Sequence, residues 1–562
     1  MSSISDSLSI SSKASSKPEP KRRWKWNFRD DNSPKEIYNW SLYASVIVFG
    51  LTGMFRGMDE GTVSGNLYQQ SFRELFGFND PNKTEHDISN LKGNIAAMVQ
   101  LGSVGGSLIS LWSVDYFGRV NALRIVCLIQ IVGVIIQLTS RTLGQLYVGR
   151  LIEGLGVGQT TSIGPCFLSE VAMPEFRGFI VGVFTYISNY LTAKFMSGSN
   201  HSQWMIPVAV KIIVAGLICI ATIFTIESPR WLVKVNKKDK AIQNLVRLRH
   251  LPAEHPYVAA ELQDIENQVL EEKHAVENYP WYLRLKDLLT KKRLFQRVFS
   301  VGIMSQLLGQ WSGANTLTIY APYLFQMITN NEGGIDNMQN TMILGAVKLV
   351  ASYLACFFLL DTFGRRRSLL LGITLQGICV LYFALFLNIV PVDDPSHTLT
   401  SSEKHASQAA LASLFLAGVG WVMGFNAVQY LFGPEILNNT YRGVGTSVIM
   451  CIHFLNQYAN SRAIPSMMVA MKSYGAFYFM VGINVVSLIW AYLCIPELKS
   501  RSLESIDAAF QLPWYLIGRK GGQATDRSAV HQATTKQLGE VTEVTINDDI
   551  EKAETSHNEM KK

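Results

Sequence analysis

The chain has 562 residues, of which 48% are hydrophobic and only 17% are charged, and its formal net charge is +7. A soluble protein of this length would carry far more charge on its surface, so the composition excludes an ordinary soluble protein. Its apolar runs are roughly 20 residues or longer, which is enough to cross a bilayer core of roughly 30 Å. The net positive charge then indicates the Lys and Arg excess of cytosolic loops rather than a nucleic-acid surface.

Residues 1–40 are rich in Ser and Lys and contain no apolar core. This argues against a cleaved signal peptide and predicts a cytosolic N-terminal tail. An N-terminal bundle of six membrane helices is predicted over 41–226. Its segments lie near 41–64, 94–114, 121–140, 143–168, 178–199 and 205–226.

A polar block over 227–296 is predicted to be a cytosolic helical linker. Its amphipathic stretches favour short helices on the membrane surface, although a regulatory or partner-binding surface is the alternative. A C-terminal six-helix bundle follows over 297–497, and residues 498–562 are predicted to form a cytosolic tail. The segments of this bundle lie near 297–328, 340–360, 368–391, 408–433, 443–467 and 474–495.

Lys and Arg are concentrated in the N-terminal tail and the linker, and they are few in the loops near 66–92 and 392–407. By the positive-inside rule, both tails and the linker are cytosolic, which requires an even number of spans in each half. The predicted fold is therefore an all-α membrane protein with twelve transmembrane helices in two pseudo-symmetric six-helix bundles.

Two charged motifs occur once in each half, in the same order. Duplicated helical halves are typical of transporters. The charges can pair and so form a cytosolic gate that latches the halves together, or they only satisfy the positive-inside pattern. The motif residues are Asp115, Gly118, Arg119, Glu170 and Arg177 in the first half, and Asp361, Gly364, Arg365, Glu435 and Arg442 in the second.

Other chemistries find no support in the residues. The seven Cys lie in apolar stretches without a CxxC pair or a His/Cys cluster, so neither a disulfide framework nor a metal site is predicted. No phosphate-binding loop and no convergent catalytic set is present, so we expect no enzyme activity, no cofactor and no nucleic-acid partner.

Several further motifs are weak singly but specific in combination. With them, the chain resembles the sugar porters of the major facilitator superfamily, and within these the fungal sugar and polyol transporters, over about 59–507. The resemblance implies the major facilitator fold and secondary transport of a sugar or polyol by alternating access around a midplane site. The motifs are Gly149-Arg150-x-x-x-Gly154-x-Gly156-x-Gly158, Glu227-Ser228-Pro229-Arg230-Trp231, Gln310-Trp311-Ser312-Gly313-Ala314-Asn315 and Pro496-Glu497-Leu498-Lys499.

Asp59 lies in the first predicted span, within Gly57-Met58-Asp59-Glu60-Gly61. An acid within a span is costly and indicates a functional site. In proton-coupled members of the family that the chain resembles, an Asp here takes up the proton. Arg150 is its expected partner, because protonation of Asp59 would weaken the pair and free the helix. Alternatively, Asp59 and Glu60 are loop acids that face the outer water.

The resemblance also implies a substrate site with amides and aromatic side chains, which read sugar hydroxyls. Gln310 and Asn315 match the family's motif, Gln306 lies one turn earlier, and Tyr320 could close the outer side. These side chains could instead join helices to one another. Thr185, Tyr430 and His453 are also expected in the substrate site. Together with Gly309 they depart from the family's pattern, which puts an ordinary hexose in doubt.

Three further ionisable residues, Arg56, Lys211 and Lys348, lie in or beside spans. They could suit an anionic polyol acid such as quinate, although a Lys near a span end more often reaches to the interface. The main prediction is a proton symporter of a sugar or polyol. The alternatives are a uniporter, a quinate-like acid permease and a non-transporting nutrient sensor. We expect a multi-pass monomer in the lipid bilayer, and the plasma membrane is favoured over an internal one.

Overall fold

The computed structural model describes residues 39–171, 202–277, 280–329, 334–355, 363–391, 399–426, 429, 436–437, 439–497, 510 and 512–521. The predicted segment near 178–199 lies outside these ranges, whereas each of the other predicted segments falls on described helices. Five predicted site residues also lie outside them, namely Arg177, Thr185, Asp361, Tyr430 and Glu435.

The N-terminal half consists of helices that run back and forth across one bundle. They are α1 (Trp40–Gly50), α2 (Gly53–Asn66), α3 (Gln70–Leu75), α4 (Glu85–Phe117), α5 (Arg119–Leu138), α6 (Leu143–Val171) and α7 (Ser202–Ala221). The predicted first span is interrupted between α1 and α2, where the Thr52 hydroxyl donates to the Phe49 carbonyl at 2.7 Å. Such a local hydrogen bond competes with the helical pattern.

Helices α4 and α6 pack against each other along a row of glycines. A Cβ atom on Gly102 or Gly106 would lie 2.1 Å or 2.4 Å from a backbone oxygen of α6. Gly154 and Gly158 of α6 are equally close to α4, at 2.2 Å. The glycine-rich string of the fourth predicted span therefore serves close helix packing, which is typical of membrane bundles.

The linker is helical and contacts both halves. It contains α8 (Pro229–Lys234), α9 (Lys238–Arg249), α10 (Pro256–Glu277) and α11 (Trp281–Thr290). The Asn39 amide donates to the Leu248 carbonyl at 2.6 Å, which ties α9 to the start of α1. On the other side, the Tyr441 hydroxyl donates to Asp287 at 2.9 Å. The linker helices therefore mark one common face of the molecule, which the predicted topology assigns to the cytosol.

The C-terminal half has the same helical character. Its helices are α12 (Lys292–Arg297), α13 (Met304–Gly309), α14 (Asn315–Ile319), α15 (Ala321–Thr329), α16 (Gly334–Leu354), α17 (Arg365–Ile389), α18 (Ser401–Trp421), α19 (Asn439–Ala470) and α20 (Lys472–Cys494), with a short α21 (Ile517–Lys520) after them. In the described part of the chain, seven helical segments are long and apolar enough to cross a bilayer. They are 40–66, 85–117, 119–138, 202–221, 365–389, 401–426 and 472–494.

The segment predicted to span the membrane over 297–328 is broken into shorter helices. π-helical turns, Val298–Ile303 and Gln310–Ala314, interrupt it, and Gly313 has φ +107°, a region that favours glycine. A helix that breaks in this way within a membrane bundle is typical of segments that move or line a site.

The two halves share an apolar core on the face opposite the linker. This cluster contains Phe72 and Trp204 from the N-terminal half and Phe325 and Phe477 from the C-terminal half. On the linker face, the described residues instead form separate clusters, one for each half. The apolar contacts between the halves are therefore concentrated at the face opposite the linker, while α4 and α19 also pack against each other across the halves, with the Ser107 hydroxyl 3.1 Å from Cys451 Sγ.

Candidate functional site

Helix α2 places Asp59 in a buried charge cluster with residues of α5, α6 and α7. Arg150 Nη1 lies 3.3 Å from Asp59 Oδ1, and Lys211 Nζ lies 3.6 Å from the same oxygen. Lys211 also donates to both oxygens of Glu153, at 2.8 and 2.9 Å. Gln137 donates to Glu153 Oε2 at 2.7 Å. All of these side chains are at most 4% exposed.

The cluster is electrically balanced when Asp59 and Glu153 are ionised, because Arg150 and Lys211 supply two positive charges. Buried charges are tolerated only when they are paired in this way. The expectation that Lys211 reaches to the interface is therefore wrong, because it points inward to Glu153. The alternative that Asp59 faces outer water is also wrong, since Asp59 is only 2% exposed.

A second polar cluster joins the two halves beside α2. Arg56 pairs with Glu60 at 3.0 Å and donates to Gln457 Oε1 at 3.1 Å. Its Nη1 lies 3.1 Å from His453 Nε2, and His453 Nδ1 lies 2.7 Å from Gln306 Oε1. Because a guanidinium only donates, Nε2 must accept and Nδ1 must carry the proton. His453 is therefore neutral in this arrangement.

Three further predicted substrate-binding residues, Gln310, Asn315 and Tyr320, contact α19 within the C-terminal half. Asn315 Nδ2 donates to Asn460 Oδ1 at 3.1 Å and to Ser461 Oγ at 2.7 Å. The Tyr320 hydroxyl donates to the Ser461 carbonyl at 2.9 Å. Gln310 is buried on the same broken segment, and its carbonyl accepts from Asn460 at 3.2 Å. In this conformation, these polar groups join the broken segment to α19.

Lys348 of α16 lies near the broken segment, and its amine contacts a hydroxyl group of that segment inside the bundle. Its Nζ donates to Thr318 Oγ1 at 2.7 Å. Within the described ranges, no carboxylate lies within 4 Å of this nitrogen, and the side chain is half-buried. When Lys348 is protonated, Arg56, Glu60 and Lys348 together carry one net positive charge at the junction of the halves.

The first copy of the repeated motif forms a tight network on the linker face. Arg119 donates to both oxygens of Glu170, at 2.6 and 2.9 Å, and both side chains are nearly buried. Asp115 lies 3.5 Å from Arg119 and 2.8 Å from Lys234 of the linker. Bidentate pairs of this kind are the strong ones. The described charges join helices of one half and the linker.

The glycines of the two copies share one backbone conformation. Gly118 has φ 86° and ψ 170°, and Gly364 has φ 88° and ψ 166°. After each glycine, a helix begins whose first amide is held by a distant carboxylate. Glu227 accepts from the Arg119 amide at 3.0 Å, and Glu497 accepts from the Arg365 amide at 2.9 Å. The carboxylate takes the place of a local N-cap.

The second copy of the gate is only partly within the described residues. Arg365 starts α17, whereas Asp361 and Glu435 lie outside the described ranges, as does Arg177 of the first copy. The backbone of Arg442 belongs to α19, and its side chain is not described. A latch between the halves thus stays a prediction.

Sequence reasoning missed Glu153 and the capping role of Glu227 and Glu497. Glu153 had a detectable signal, because it lies one helical turn after Arg150 on the same face. Glu227 and Glu497 each follow the last span of their half by a few residues, so the repeat extends to a third pair of acids. Their partners are backbone amides, which no residue pattern reveals.

The sequence profile of the family described as "Sugar (and other) transporter" matches residues 45–510. The quinate permease of Emericella nidulans is 31% identical over 495 residues, which cover 86% of this chain and 90% of that protein. The matched residues include nearly all of the described helices.

Solved structures agree on the fold. A structure of the major facilitator superfamily proton:xylose symporter XylE, bound to 6-bromo-6-deoxy-D-glucose, has a TM-score of 0.66 at 21% identity, covering 84% of this chain and 99% of that one. A partially occluded inward-open structure of XylE from E. coli has a TM-score of 0.64 at 19% identity, with coverage of 83% and 100%. The predicted fold is thus confirmed, and the chain belongs to the sugar (and other) transporter family as a multi-pass membrane protein with the major facilitator fold.

Proposed function

We propose that this protein moves a sugar or related polyol across its membrane by alternating access and couples this movement to the uptake of a proton by Asp59. The buried cluster around Asp59 is the observation that carries the proposal. An acid that is held by two cations inside a bundle can exchange its charge for a proton only by loosening those contacts. Proton uptake would therefore change how α2 packs against α6 and α7.

The arrangement of the apolar cores supports alternating access. The shared core closes the face opposite the linker, and the separate cores leave the halves free to part on the linker face. With the linker in the cytosol, the face that the shared core closes is the outer one. The broken segment around Gly313 lies between these faces and carries the polar residues proposed to bind substrate.

Reconstitution of the purified protein in liposomes tests the coupling. For one proton per substrate, each unit of pH difference stores about 1.36 kcal/mol and supports roughly tenfold accumulation. We expect Asp59→Asn to abolish this accumulation while substrate exchange continues, with Glu272→Gln on the linker surface as the matched control. Accumulation by the Asp59→Asn protein would refute the coupling. Flux without proton entry would indicate a uniporter, and binding without flux would indicate a sensor.

A hydroxylated carboxylic acid such as quinate is the second candidate substrate. It is favoured by the net positive charge of Arg56, Glu60 and Lys348, since an uncompensated charge within a bundle is costly and a substrate carboxylate would balance it. The quinate permease relative points the same way. The polar side chains of the broken segment would read the hydroxyl groups of either substrate class.

Membrane potential separates the two candidates. A neutral polyol with one proton carries one net charge, so an inside-negative potential of about 100 mV adds about 2.3 kcal/mol, or roughly fiftyfold accumulation. A monoanion with one proton is electroneutral, so its accumulation should not respond to the membrane potential.

We favour the plasma membrane as the location and expect the transporting unit to be a monomer.

A further inference from the structure

Lys211 lies between two buried carboxylates that it holds unequally. Its Nζ is 2.8 and 2.9 Å from the oxygens of Glu153 but 3.6 Å from Asp59 Oδ1. We propose that Glu153 and Lys211 are positioning residues that set the pH at which Asp59 exchanges its proton. The proposal rests on the proposed coupling at Asp59.

The contacts of the two acids identify Asp59 as the one that is ready to be protonated. Glu153 accepts hydrogen bonds of 2.7–2.9 Å from Lys211 and Gln137. Asp59 Oδ2 accepts one long hydrogen bond from Arg150 Nη2, at 3.5 Å, whereas Oδ1 lies 3.3 Å from Arg150 and 3.6 Å from Lys211 without hydrogen-bond geometry. A buried carboxylate with poor hydrogen bonds gains the most from becoming neutral. On this geometry we assign the exchangeable proton to Asp59.

Both cations have other partners that remain when Asp59 becomes neutral. Arg150 Nε donates to the Ile95 carbonyl at 2.7 Å, and Lys211 keeps Glu153. Protonation therefore releases α2 without leaving a lysine unpaired on α7. A buried cation that lost its only partner would instead oppose protonation strongly. Glu153 thus makes proton uptake by Asp59 easier.

The charged groups that face Asp59 are few. Helix α6 contributes Arg150 and Glu153, and α7 contributes Lys211. Helices α14 and α15 also pack against α2 and carry no charged residue. Their titratable side chain is Tyr323, which closely follows the buried Tyr320 at the end of α14. On α2 itself, Arg56 and Glu60 pair with each other. Among the residues that the structure describes, the charge balance at Asp59 is therefore set by one anion and two cations.

Glu153→Gln removes the anion and leaves Lys211 free to approach Asp59. Asp59 then binds a proton less tightly, so the midpoint of the pH dependence of proton-driven uptake should fall by about one unit, or tenfold in proton concentration. The double variant Glu153→Gln/Lys211→Met also removes the nearer cation. Its midpoint should rise above that of the unaltered protein, because Asp59 then keeps Arg150 as its sole cation in the cluster.

The opposite directions of these shifts separate an electrostatic role from a purely structural one. Glu153→Asp, which keeps the charge, should retain a midpoint near that of the unaltered protein and serves as the check that the site tolerates substitution. Midpoints that stay unchanged, or that move in the same direction in both variants, would overturn the proposal. Asp59→Asn, measured alongside, reports on the coupling itself. If it loses accumulation while both midpoints stay fixed, the role of Glu153 and Lys211 fails and the proposed function stands.

Discussion

Replacement of Glu227 tests whether a remote carboxylate holds the start of α5. Glu227 accepts hydrogen bonds from the amides of Arg119 and Ser228 at 3.0 Å, and from Val120 at 3.1 Å. In Glu227→Ala, three amides lose their acceptor, at about 1 kcal/mol each, and water at the helix end restores part of this. We expect a net local loss of about 1.5–2 kcal/mol, which corresponds to roughly 10–30-fold faster amide exchange in the first turn of α5.

Glu227→Gln separates the acceptor from the charge. Burial raises the pKa of Glu227, and the hydrogen bonds from the backbone amides lower it by less. Because this pKa is higher in the folded protein, the stability linked to the group is greatest below its unfolded pKa and declines as the pH rises through the folded pKa. The charge is thus not the source of stability at neutral pH. The Gln side chain keeps one acceptor oxygen, so we expect amide hydrogen exchange in the first turn of α5 to rise no more than about threefold.

Hydrogen exchange read by mass spectrometry on peptides that span the start of α5 is the measurement. Glu272→Ala, which removes a partner of Arg230 on the linker surface, is the matched control and should leave these peptides unchanged. Glu497→Ala should have the same effect at the start of α17, where the Arg365 amide donates to Glu497 at 2.9 Å. If Glu227→Ala leaves exchange unchanged, or if Glu227→Gln matches it, the capping argument is refuted.

Two further predictions concern the repeated motif, and both are read as melting temperatures in detergent. Gly118→Ala places a Cβ 2.8 Å from Glu227 Oε2 at φ +86°, so it should cost about 1–3 kcal/mol from backbone strain alone, and Gly364→Ala should behave alike. Gly144→Ala, with no atom within 4 Å of the added Cβ, should not destabilise, and equal behaviour of all three would contradict the strain. Arg119→Gln leaves Glu170 nearly buried without its cation and should cost about 3–5 kcal/mol, whereas Lys234→Gln breaks a half-exposed pair and should cost at most about 1 kcal/mol. Similar losses in these two variants would contradict the assigned burial.

The length of the apolar runs and the duplicated motifs predicted the fold, because the bilayer forces each run into a helix that spans it. The duplicated motifs further predicted that the two halves share one helical arrangement. The interruptions of the helices were not predictable in the same way. The break at Thr52 accompanies a single hydrogen bond and the break at Gly313 accompanies a left-handed glycine conformation, and an average hydropathy reveals neither.

The candidate site was predictable where its partners are charged side chains in motifs. Asp59 and Arg150 could be paired from the sequence, and they are in contact. Lys211 could not be placed, because a lysine near the end of an apolar run is equally consistent with the interface and with a buried partner. Its direction is decided by Glu153, which belongs to a helix distant in sequence.

The shared core opposite the linker also has a thermal consequence. Opening that face would bring side chains such as Phe72, Trp204, Phe325 and Phe477 into contact with water, as unfolding does. Exposure of apolar surface raises the heat capacity, so the enthalpy of the opening step changes with temperature. Turnover limited by this step would therefore give a curved Arrhenius plot. The temperature of fastest transport would then depend on the shared apolar core, which lies away from the proposed proton and substrate sites.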